Sequence, residues 1–336
     1  MKRMKKLAAL ALSLTMALSL CACGEKKEEL PTPDRPPVEE PEAETPSVTT
    51  RVAALKGPTG MGLAYLEEGE GDYALTIAAK PDEINPLLLK GELDVACVPA
   101  NAAAVLAKKS EGAVVTLGIN TLGVLYLVEN GETVQSLSDL KGQTLVASGK
   151  GATPEYALRY LLSENGIDPD TDLDIQWKSE HSECVAALAT GAASIALLPQ
   201  PFVTVAQGKI EGLRMALDLT QEWEKLDNGS QLLTGVVVAR KDFVEAEPQA
   251  VSQLLKDYAA SVEKVNADPA AAAVKIGDMG IVEAAVAEKA IPYCNIVCIT
   301  GAEMKESLSG YLEVLFAANP ASVGGELPGE DFYFGA

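Results

Sequence analysis

Two glycines, a lysine and a Thr-Pro pair separate a predicted strand from a predicted helix in GKGATPEYALRY, residues 149–160. These residue types suit the binding of phosphate or another anion, because glycines let the backbone approach a ligand and a helix start presents free N–H groups. They also suit a helix start that binds nothing, since threonine caps a helix, proline fits its first turn and Glu155 complements the helix dipole. The cap explains neither Lys150 nor the glycines, so both interpretations stay open.

Three more loops follow apolar segments that predict strands. They are LKGPTGMG at residues 55–62, Pro99-Ala100-Asn101, and Pro199-Gln200-Pro201. In open α/β sheets, ligands bind beyond the carboxyl ends of the strands. Each loop alone has a structural explanation, such as a helix cap at Asn101. Together, the four loops predict a binding site for a small ligand.

The sequence lacks the usual catalytic and metal-binding patterns. It has no Gly-x-Ser-x-Gly nucleophile motif, no Walker phosphate loop and no Cys-x-x-Cys pair. The one histidine, His181, lies at a predicted helix start, where a capping or solvated role is expected. We therefore predict a binding protein with no catalytic residues, no metal and no cofactor.

The first residues predict export. Four of the first six residues are basic, and residues 7–20 form an apolar run of signal-peptide length that is too short to span a membrane comfortably. The segment LCACG that follows resembles the lipobox of bacterial lipoproteins. Residues 1–22 are therefore predicted to be a lipoprotein signal peptide and Cys23 the lipidated residue, with an ordinary cleaved signal peptide as the alternative.

Residues 23–50 are predicted to be a disordered tether, because proline and glutamate dominate and no apolar periodicity is present. The formal net charge of −21 disfavours nucleic acid or an anionic membrane surface as a partner. After the tether, four cysteines remain. Cys294 and Cys298 lie four apart in PYCNIVCI, which is predicted to be a strand and would hold them too far apart for a disulfide. All four are expected to be free thiols.

The rest of the chain predicts an α/β fold. Short apolar runs alternate with helical runs as far as residue 234, which is typical of parallel sheets with crossover helices. The last hundred residues contain one more strand, GVVVARKDF, and then mainly helices. With about 286 residues after the tether, the chain is long enough for two domains.

Taken together, the lipobox, the tether and the order of elements resemble those of extracytoplasmic solute-binding lipoproteins of ABC importers. The specific resemblance is to the nitrate/sulfonate/taurine-binding family, which also includes binders of the thiamine pyrimidine precursor. It extends over residues 51–336. The segments that carry it are RVAALKGPTGMG, GELDVACVPANAAAVL, NTLGVLYLVENG, GKGATPEYALRYLL and AIPYCNIVCITGAEMKESLSGYLEVL.

This resemblance implies the type II periplasmic-binding fold, in which two α/β lobes joined by two crossovers close around a ligand. Lobe one would comprise residues 51–128 plus 235–336, and lobe two residues 129–234. The implied cleft residues are Thr59, Gly60, Asn101, Asn120, Thr121, Lys150, Gly151, Ala152, Thr153, Pro199, Gln200 and Tyr293. A monomer on the outer face of the cytoplasmic membrane would deliver its solute to a permease and its ATPase.

The resemblance leaves the solute open. Sulfonate and nitrate binders are expected to surround the anion with donors, yet Lys56 and Lys150 are the only lysines near these loops. A small heteroaromatic solute stacked on Tyr126, Trp177 or Tyr293 is the alternative. A sensor without transport, or an enzyme on the same fold, are rival functions, although the pyrimidine synthases of the family need histidines and a cysteine-rich motif that this sequence lacks.

Overall fold

The computed structural model describes residues 48–336. The predicted signal peptide, Cys23 and the tether up to residue 47 lie outside the described residues. The strands are β1 (Thr50–Leu55), β2 (Tyr73–Ala78), β3 (Val95–Pro99), β4 (Val114–Leu122), β5 (Leu125–Glu129), β6 (Thr144–Ser148), β7 (Asp174–Lys178), β8 (Ile195–Pro199), β9 (Arg214–Asp218), β10 (Leu233–Arg240) and β11 (Ile296–Ile299).

The helices follow the strands and fill the carboxyl-terminal part. They are α1 (Pro58–Met61), α2 (Pro81–Leu89), α3 (Ala100–Lys109), α4 (Thr153–Glu164), α5 (His181–Ala189), α6 (Phe202–Gln207), α7 (Leu219–Glu224), α8 (Lys241–Ala246), α9 (Pro248–Ala267), α10 (Pro269–Asp278), α11 (Ala284–Ala290) and α12 (Gly301–Ala318). None of these helices combines the length and the apolar character that crossing a membrane requires.

The strands form two mixed sheets, with the orders β11-β4-β10-β3-β1-β2 and β7-β6-β8-β5-β9. The α/β class is confirmed. Parallel pairing is limited to β2-β1-β3 and β7-β6-β8, and the remaining strands pair antiparallel. The predicted parallel pairing is present in both sheets, and antiparallel strands add to it because β4 runs into β5 without a helix and β10 returns from the other sheet.

The chain passes from the first sheet to the second between Leu122 and Leu125, and it returns between Asp218 and Leu233. Strand β5 was expected in lobe one, whose predicted boundary fell at residue 128, but it pairs with β8 and β9 of the second sheet. Only Gly123 and Val124 separate β4 from β5, so the sequence shows no composition change at the crossover.

Two segments depart from the predicted pattern. Within PYCNIVCI only Ile296–Ile299 is a strand, because Asn295 has a positive φ of 43° and a short 3₁₀ turn precedes it. The four cysteines of the described residues are free, as expected, although Cys298 is only partly buried. GVVVARKDF also divides, because β10 ends at Arg240 and α8 begins directly after it.

The largest apolar cluster extends through both sheets and α12. It includes Ile119 and Val236 of the first sheet, Leu127 of the second sheet, and Trp223 and Tyr311. Trp223 is fully buried after β9, with its ring centroid 5.8 Å from that of Tyr311 on α12. Shared burial of apolar surface is the dominant stabilising term in folding, so the two sheets stabilise one another.

Candidate ligand-binding site

At one edge of the first sheet the structure brings together Thr59, Asn120 and Thr121. Thr59 lies in α1, directly after β1, and the other two lie near the end of β4. The Asn120 Nδ2 donates to the Thr59 carbonyl oxygen at 3.4 Å, and the Thr121 hydroxyl donates to Asn120 Oδ1 at 3.0 Å. All three side chains are buried. They form a polar cluster inside the protein and not on its surface.

Gly235 of β10 makes this cluster possible. It pairs with Pro99 on one side and Thr121 on the other. A Cβ at this position would lie 2.4 Å from Asn120 Oδ1 and 2.5 Å from Thr59 Cγ2, well inside contact distance. Glycine is therefore needed here for space. Gly60, also predicted for the site, is buried in α1 beside Thr59.

A chain of hydrogen bonds joins the two sheets at Thr153. Its hydroxyl donates to Asn101 Oδ1 at 3.1 Å and accepts from the Tyr311 hydroxyl at 3.4 Å. Asn101 Nδ2 in turn donates to the Ser322 carbonyl oxygen at 3.2 Å. Thr153 is 2% and Asn101 4% exposed, so these bonds are shielded from water.

The helix-cap roles expected for Thr153 and Asn101 were wrong. The N-cap position is occupied by Ala152 in α4 and by Pro99 in α3. At neither helix start does an N-cap side chain accept a hydrogen bond from the backbone. Thr153 and Asn101 lie inside the first turns of their helices. Their polar atoms are thus free to bond between the sheets.

In the glycine loop before α4, a backbone N–H is hydrogen-bonded to a side chain of the helix that follows. The Gly151 N–H donates to Glu155 Oε2 at 2.7 Å, and Arg159 Nε donates to Glu155 Oε1 at 3.0 Å. Gly149 and Gly151 have φ values of 84° and 77°, a left-handed conformation that favours glycine. Lys150 is exposed and does not join the buried groups. The backbone turn therefore explains the glycines that the cap did not.

Glu155 and Arg159 also line an open groove of about 620 Å³ that runs along α4. Tyr156 and Tyr160 of the same helix form part of its wall, and the end of α12 with Asn319 faces them. Arg159 is consequently the more accessible member of the ion pair, with its side chain 31% exposed against 11% for Glu155.

Gln200, at the end of β8, lies beside the crossover. Its backbone N–H donates to the Val124 carbonyl oxygen at 3.0 Å, and its Oε1 accepts from the Thr204 hydroxyl at 2.9 Å. Its side chain is 1% exposed, and Nε2 has no hydrogen-bond partner in the described structure. Buried side-chain donors normally have a hydrogen-bond partner, either protein or ordered water. Pro199, the preceding residue, is half-buried.

Tyr293 stands apart from the buried groups. Its side chain is 45% exposed, and only its backbone carbonyl oxygen is engaged, accepting from the Tyr126 hydroxyl at 3.1 Å. Tyr126 is buried in β5, and burial raises the pKa of its phenol. Of the three aromatics considered from the sequence, Tyr126 therefore links the sheets, while Tyr293 lies at the surface and Trp177 is partly buried in edge strand β7.

Sequence reasoning missed a pair at the second sheet. The Ser148 hydroxyl and His181 Nδ1 share a hydrogen bond, and the imidazole lies 4.9 Å from the Phe202 ring. His181 is partly buried, and burial lowers its pKa from 6.5 to about 4. Its imidazole is bonded to Ser148 and does not cap α5, whose N-cap is Glu180, so it is neither a cap nor freely solvated. Ser148 is the last residue of β6, and His181 follows the neighbouring parallel strand β7, which was the signal for their proximity. Ser148 is 2% exposed and closed to an approaching substrate.

Two linked α/β sheets, with buried polar side chains near the strand ends where they meet, are the arrangement expected of extracytoplasmic solute-binding proteins. Residues 63–288 match the family described as ABC transporter, phosphonate, periplasmic substrate-binding protein. The chain belongs to this family, whose members are the substrate-binding components of ABC import systems. The comparison with curated protein sequences gave no match.

Solved structures agree with this assignment. An ABC transporter protein from Parabacteroides distasonis is 25% identical with a TM-score of 0.70, over 85% of this chain and 98% of that chain. The aliphatic sulphonate binding protein SsuA from Escherichia coli is 17% identical with a TM-score of 0.67, over 85% and 93%. The nitrate-binding protein NrtA from Synechocystis is 13% identical with a TM-score of 0.52, over 68% and 65%. The predicted resemblance to sulfonate and nitrate binders is confirmed, and below 25% identity the likeness concerns the fold.

The low pKa of His181 predicts a pH-dependent stability. The folded protein keeps the imidazole neutral down to about pH 4, whereas the unfolded chain binds a proton near pH 6.5, so stability falls as the pH drops through this window. The His181→Gln variant should lack this loss. Between pH 7 and pH 4, the free energy of unfolding of the wild type should fall by up to about 3 kcal/mol more than that of the variant.

Urea unfolding followed by circular dichroism measures this difference, and the titration of other groups cancels between the two proteins. The single histidine also gives one imidazole signal by NMR, from which its pKa is read directly. An imidazole that titrates near pH 6.5 in the folded protein would contradict the assignment.

Proposed function

We propose that the protein captures a small solute between the two sheets and hands it, chemically unchanged, to an ABC permease. The observation that carries this proposal is the set of buried polar side chains at the facing ends of the sheets, among which Gln200 Nε2 lacks a partner. Buried polar atoms are normally hydrogen-bonded. A solute with a hydrogen-bond acceptor would satisfy this one.

The lobes of the proposal follow the sheets. Lobe one contains the first sheet and its helices, which are residues 50–122 and 233–299, together with the carboxyl-terminal residues 300–336. Lobe two contains the second sheet and its helices, residues 125–218. Thr59, Asn101, Asn120 and Thr121 would contact the solute from lobe one, and Thr153 and Gln200 from lobe two. Gly60, Gly151, Ala152 and Pro199 would shape the cleft by their backbone, while exposed Lys150 and Tyr293 would lie at its rim.

Closure would be the mechanism of capture. A ligand shifts a two-state equilibrium only by binding one state better than the other. The closed arrangement supplies contacts from both lobes, including the Thr153–Asn101 bond. The links between β4 and β5 and between β9 and β10 would absorb the hinge motion. The protein would act as a monomer, because one chain contributes both sides of the cleft.

The names of related proteins suggest the solute class. Phosphonate appears in the family description, and sulphonate and nitrate in the names of similar structures. These oxyanions are candidate solutes, with a small heteroaromatic compound as the alternative from the sequence.

Thr153→Val tests the cleft. Valine keeps the shape but removes the hydroxyl, so Asn101 Oδ1 loses its partner from lobe two. Stability without solute should fall by about 1–3 kcal/mol. With a concentrate of complex growth medium as the solute source, the midpoint of thermal unfolding should rise for the wild type, and about tenfold more concentrate should be needed for the variant.

The matched control is Thr144→Val, at an exposed position that starts β6 in the same lobe. It should respond to the concentrate as the wild type does. Equal responses of the wild type and Thr153→Val would remove Thr153 from the binding site.

A lipid on Cys23 would hold the receptor at the outer face of the cytoplasmic membrane. The tether predicted up to residue 50 would end one residue earlier, because Thr50 already begins β1. The proposal rests on the basic start, the apolar run and the LCACG segment of the sequence.

Cys23→Ala should abolish membrane association, because the thiol that carries the lipid is lost. Fractionation of cells that express the full chain, followed by blotting, measures the distribution. The Cys21→Ala variant is the control and should stay with the membrane. Recovery of Cys23→Ala in the membrane fraction would exclude lipidation at this residue.

A further inference from the structure

We infer that Tyr126 is a positioning residue for solute capture, because its hydroxyl bonds the two lobes together beside the hinge, through the turn at residues 293–295. The inference rests on the function proposed above and concerns a residue outside the proposed solute contacts. Tyr126 belongs to β5 of lobe two, whereas the turn precedes β11 of lobe one. The Tyr126 hydroxyl donates to the Tyr293 carbonyl oxygen at 3.1 Å, so this bond crosses from one lobe to the other.

The link between β4 and β5 consists of Gly123 and Val124, whose carbonyl oxygens are held by different lobes. Asn295 Nδ2 of lobe one donates to the Gly123 oxygen at 2.5 Å. The Gln200 N–H of lobe two donates to the Val124 oxygen at 3.0 Å. Rotation of one lobe against the other in this link is thereby confined to the backbone between these two carbonyl groups. Hinges are typically a few such residues at the ends of elements.

The turn at residues 293–295 belongs mechanically to lobe one, because its backbone is tied to β4. The Leu122 N–H donates to the Asn295 carbonyl oxygen at 3.1 Å, and β11 pairs with β4 directly after the turn. Asn295 has a positive φ of 43°, which asparagine adopts more readily than most residues. Just before the turn, helix α11 of lobe one packs against α6 of lobe two. The segment that carries the turn therefore lies against the second lobe beside the hinge.

Rotation of the lobes should break the Tyr126 bond. Tyr126 lies two strand residues beyond Val124, which places its backbone about 7 Å from the hinge. At that distance a rotation of about 10° displaces a group by about 1 Å, whereas a hydrogen bond of 3.1 Å is lost within about 0.5 Å. Burial raises the pKa of Tyr126, so its hydroxyl stays protonated and able to donate. The bond consequently favours the closed arrangement over an open one.

Tyr126→Phe removes the hydroxyl and keeps the ring, so it should shift the equilibrium toward the open arrangement. A smaller population of the binding-competent state weakens the apparent affinity in proportion. One hydrogen bond corresponds to about a two- to tenfold change in an equilibrium constant. The readout is protection of residues 148–157 from hydrogen–deuterium exchange, measured well below the unfolding temperature. Half-maximal protection should need about two- to tenfold more growth-medium concentrate in the variant than in the wild type.

Small-angle X-ray scattering of the protein without solute, unfolded and refolded beforehand, complements this measurement. If the solute-free wild type is mainly closed, Tyr126→Phe should have the larger radius of gyration. If the wild type is already open, the shift appears in the half-maximal concentrate instead. A variant that matches the wild type in both quantities would overturn the inference.

Tyr73→Phe is the matched control, because it removes a tyrosine hydroxyl whose bond lies within one lobe. That hydroxyl donates to Asp257 Oδ2 at 2.6 Å, and both residues belong to lobe one. The control should lose stability but keep the wild-type half-maximal concentrate and radius of gyration. If Tyr73→Phe shifts these quantities as much as Tyr126→Phe does, general loosening of the fold explains the effect and the inference is wrong.

Asn295→Gly tests the other end of the turn. Glycine accepts the positive φ of this position but cannot donate to the Gly123 oxygen. Without solute, amide exchange of residues 122–126 should become at least about threefold faster, because local opening needs less free energy. The control is Asn266→Ala, whose lost bond to the Ile296 carbonyl oxygen at 2.9 Å lies within lobe one. Its exchange in residues 122–126 should match that of the wild type.

Unchanged exchange in Asn295→Gly, or equal acceleration in both asparagine variants, would overturn the role of the turn in holding the hinge. Failure of the receptor function is distinguishable, because it appears as a wild-type protein that does not respond to the concentrate. The solute-free scattering and exchange then decide on the hinge bonds alone.

Discussion

The hydrogen bond between Thr153 and Asn101 is the contact on which the relation of the two sheets at the cleft depends. It joins residues 52 positions apart, one at the start of α4 and one in α3, and both are almost fully buried. A buried polar atom without a partner costs about 1–3 kcal/mol. Tyr311 and the Ser322 carbonyl oxygen therefore have to complete the chain of bonds. The carboxyl-terminal helix α12 is needed for this reason as well as for its apolar face.

Local patterns were sufficient to predict most strands and helices and the four loops at the strand ends. They could not predict the partners of the loop residues. Thr153 and Asn101 have the residue types of helix caps, and only the packing of α12 against α4 decides that they bond elsewhere. Likewise, the apolar pattern of β5 is compatible with pairing in either sheet, so it does not predict which sheet the strand joins. Long-range pairing, which a single sequence does not display, settles both questions.

The loop before α4 has residue types that suit anion binding, but its Gly151 N–H is already bonded to a side chain of the same helix. Gly149 and Gly151 adopt left-handed conformations, which glycine tolerates best. Glu155 was considered from the sequence only as a favourable charge near the helix dipole, yet its carboxylate occupies the donor that a phosphate would use. The neighbouring Arg159 then balances that carboxylate. The buried side chains proposed to contact the solute are hydroxyl and amide groups, whose partners come from packing and not from the local sequence.

The central claim is that a solute is held by both lobes at once. Hydrogen–deuterium exchange of residues 24–336, followed by mass spectrometry with and without growth-medium concentrate, tests it most directly. The account predicts slower exchange in residues 99–124 of the first lobe and crossover and, in the same sample, in residues 148–157 and 198–204 of the second. Protection confined to one of these lobes, or found only away from the strand ends, would contradict it.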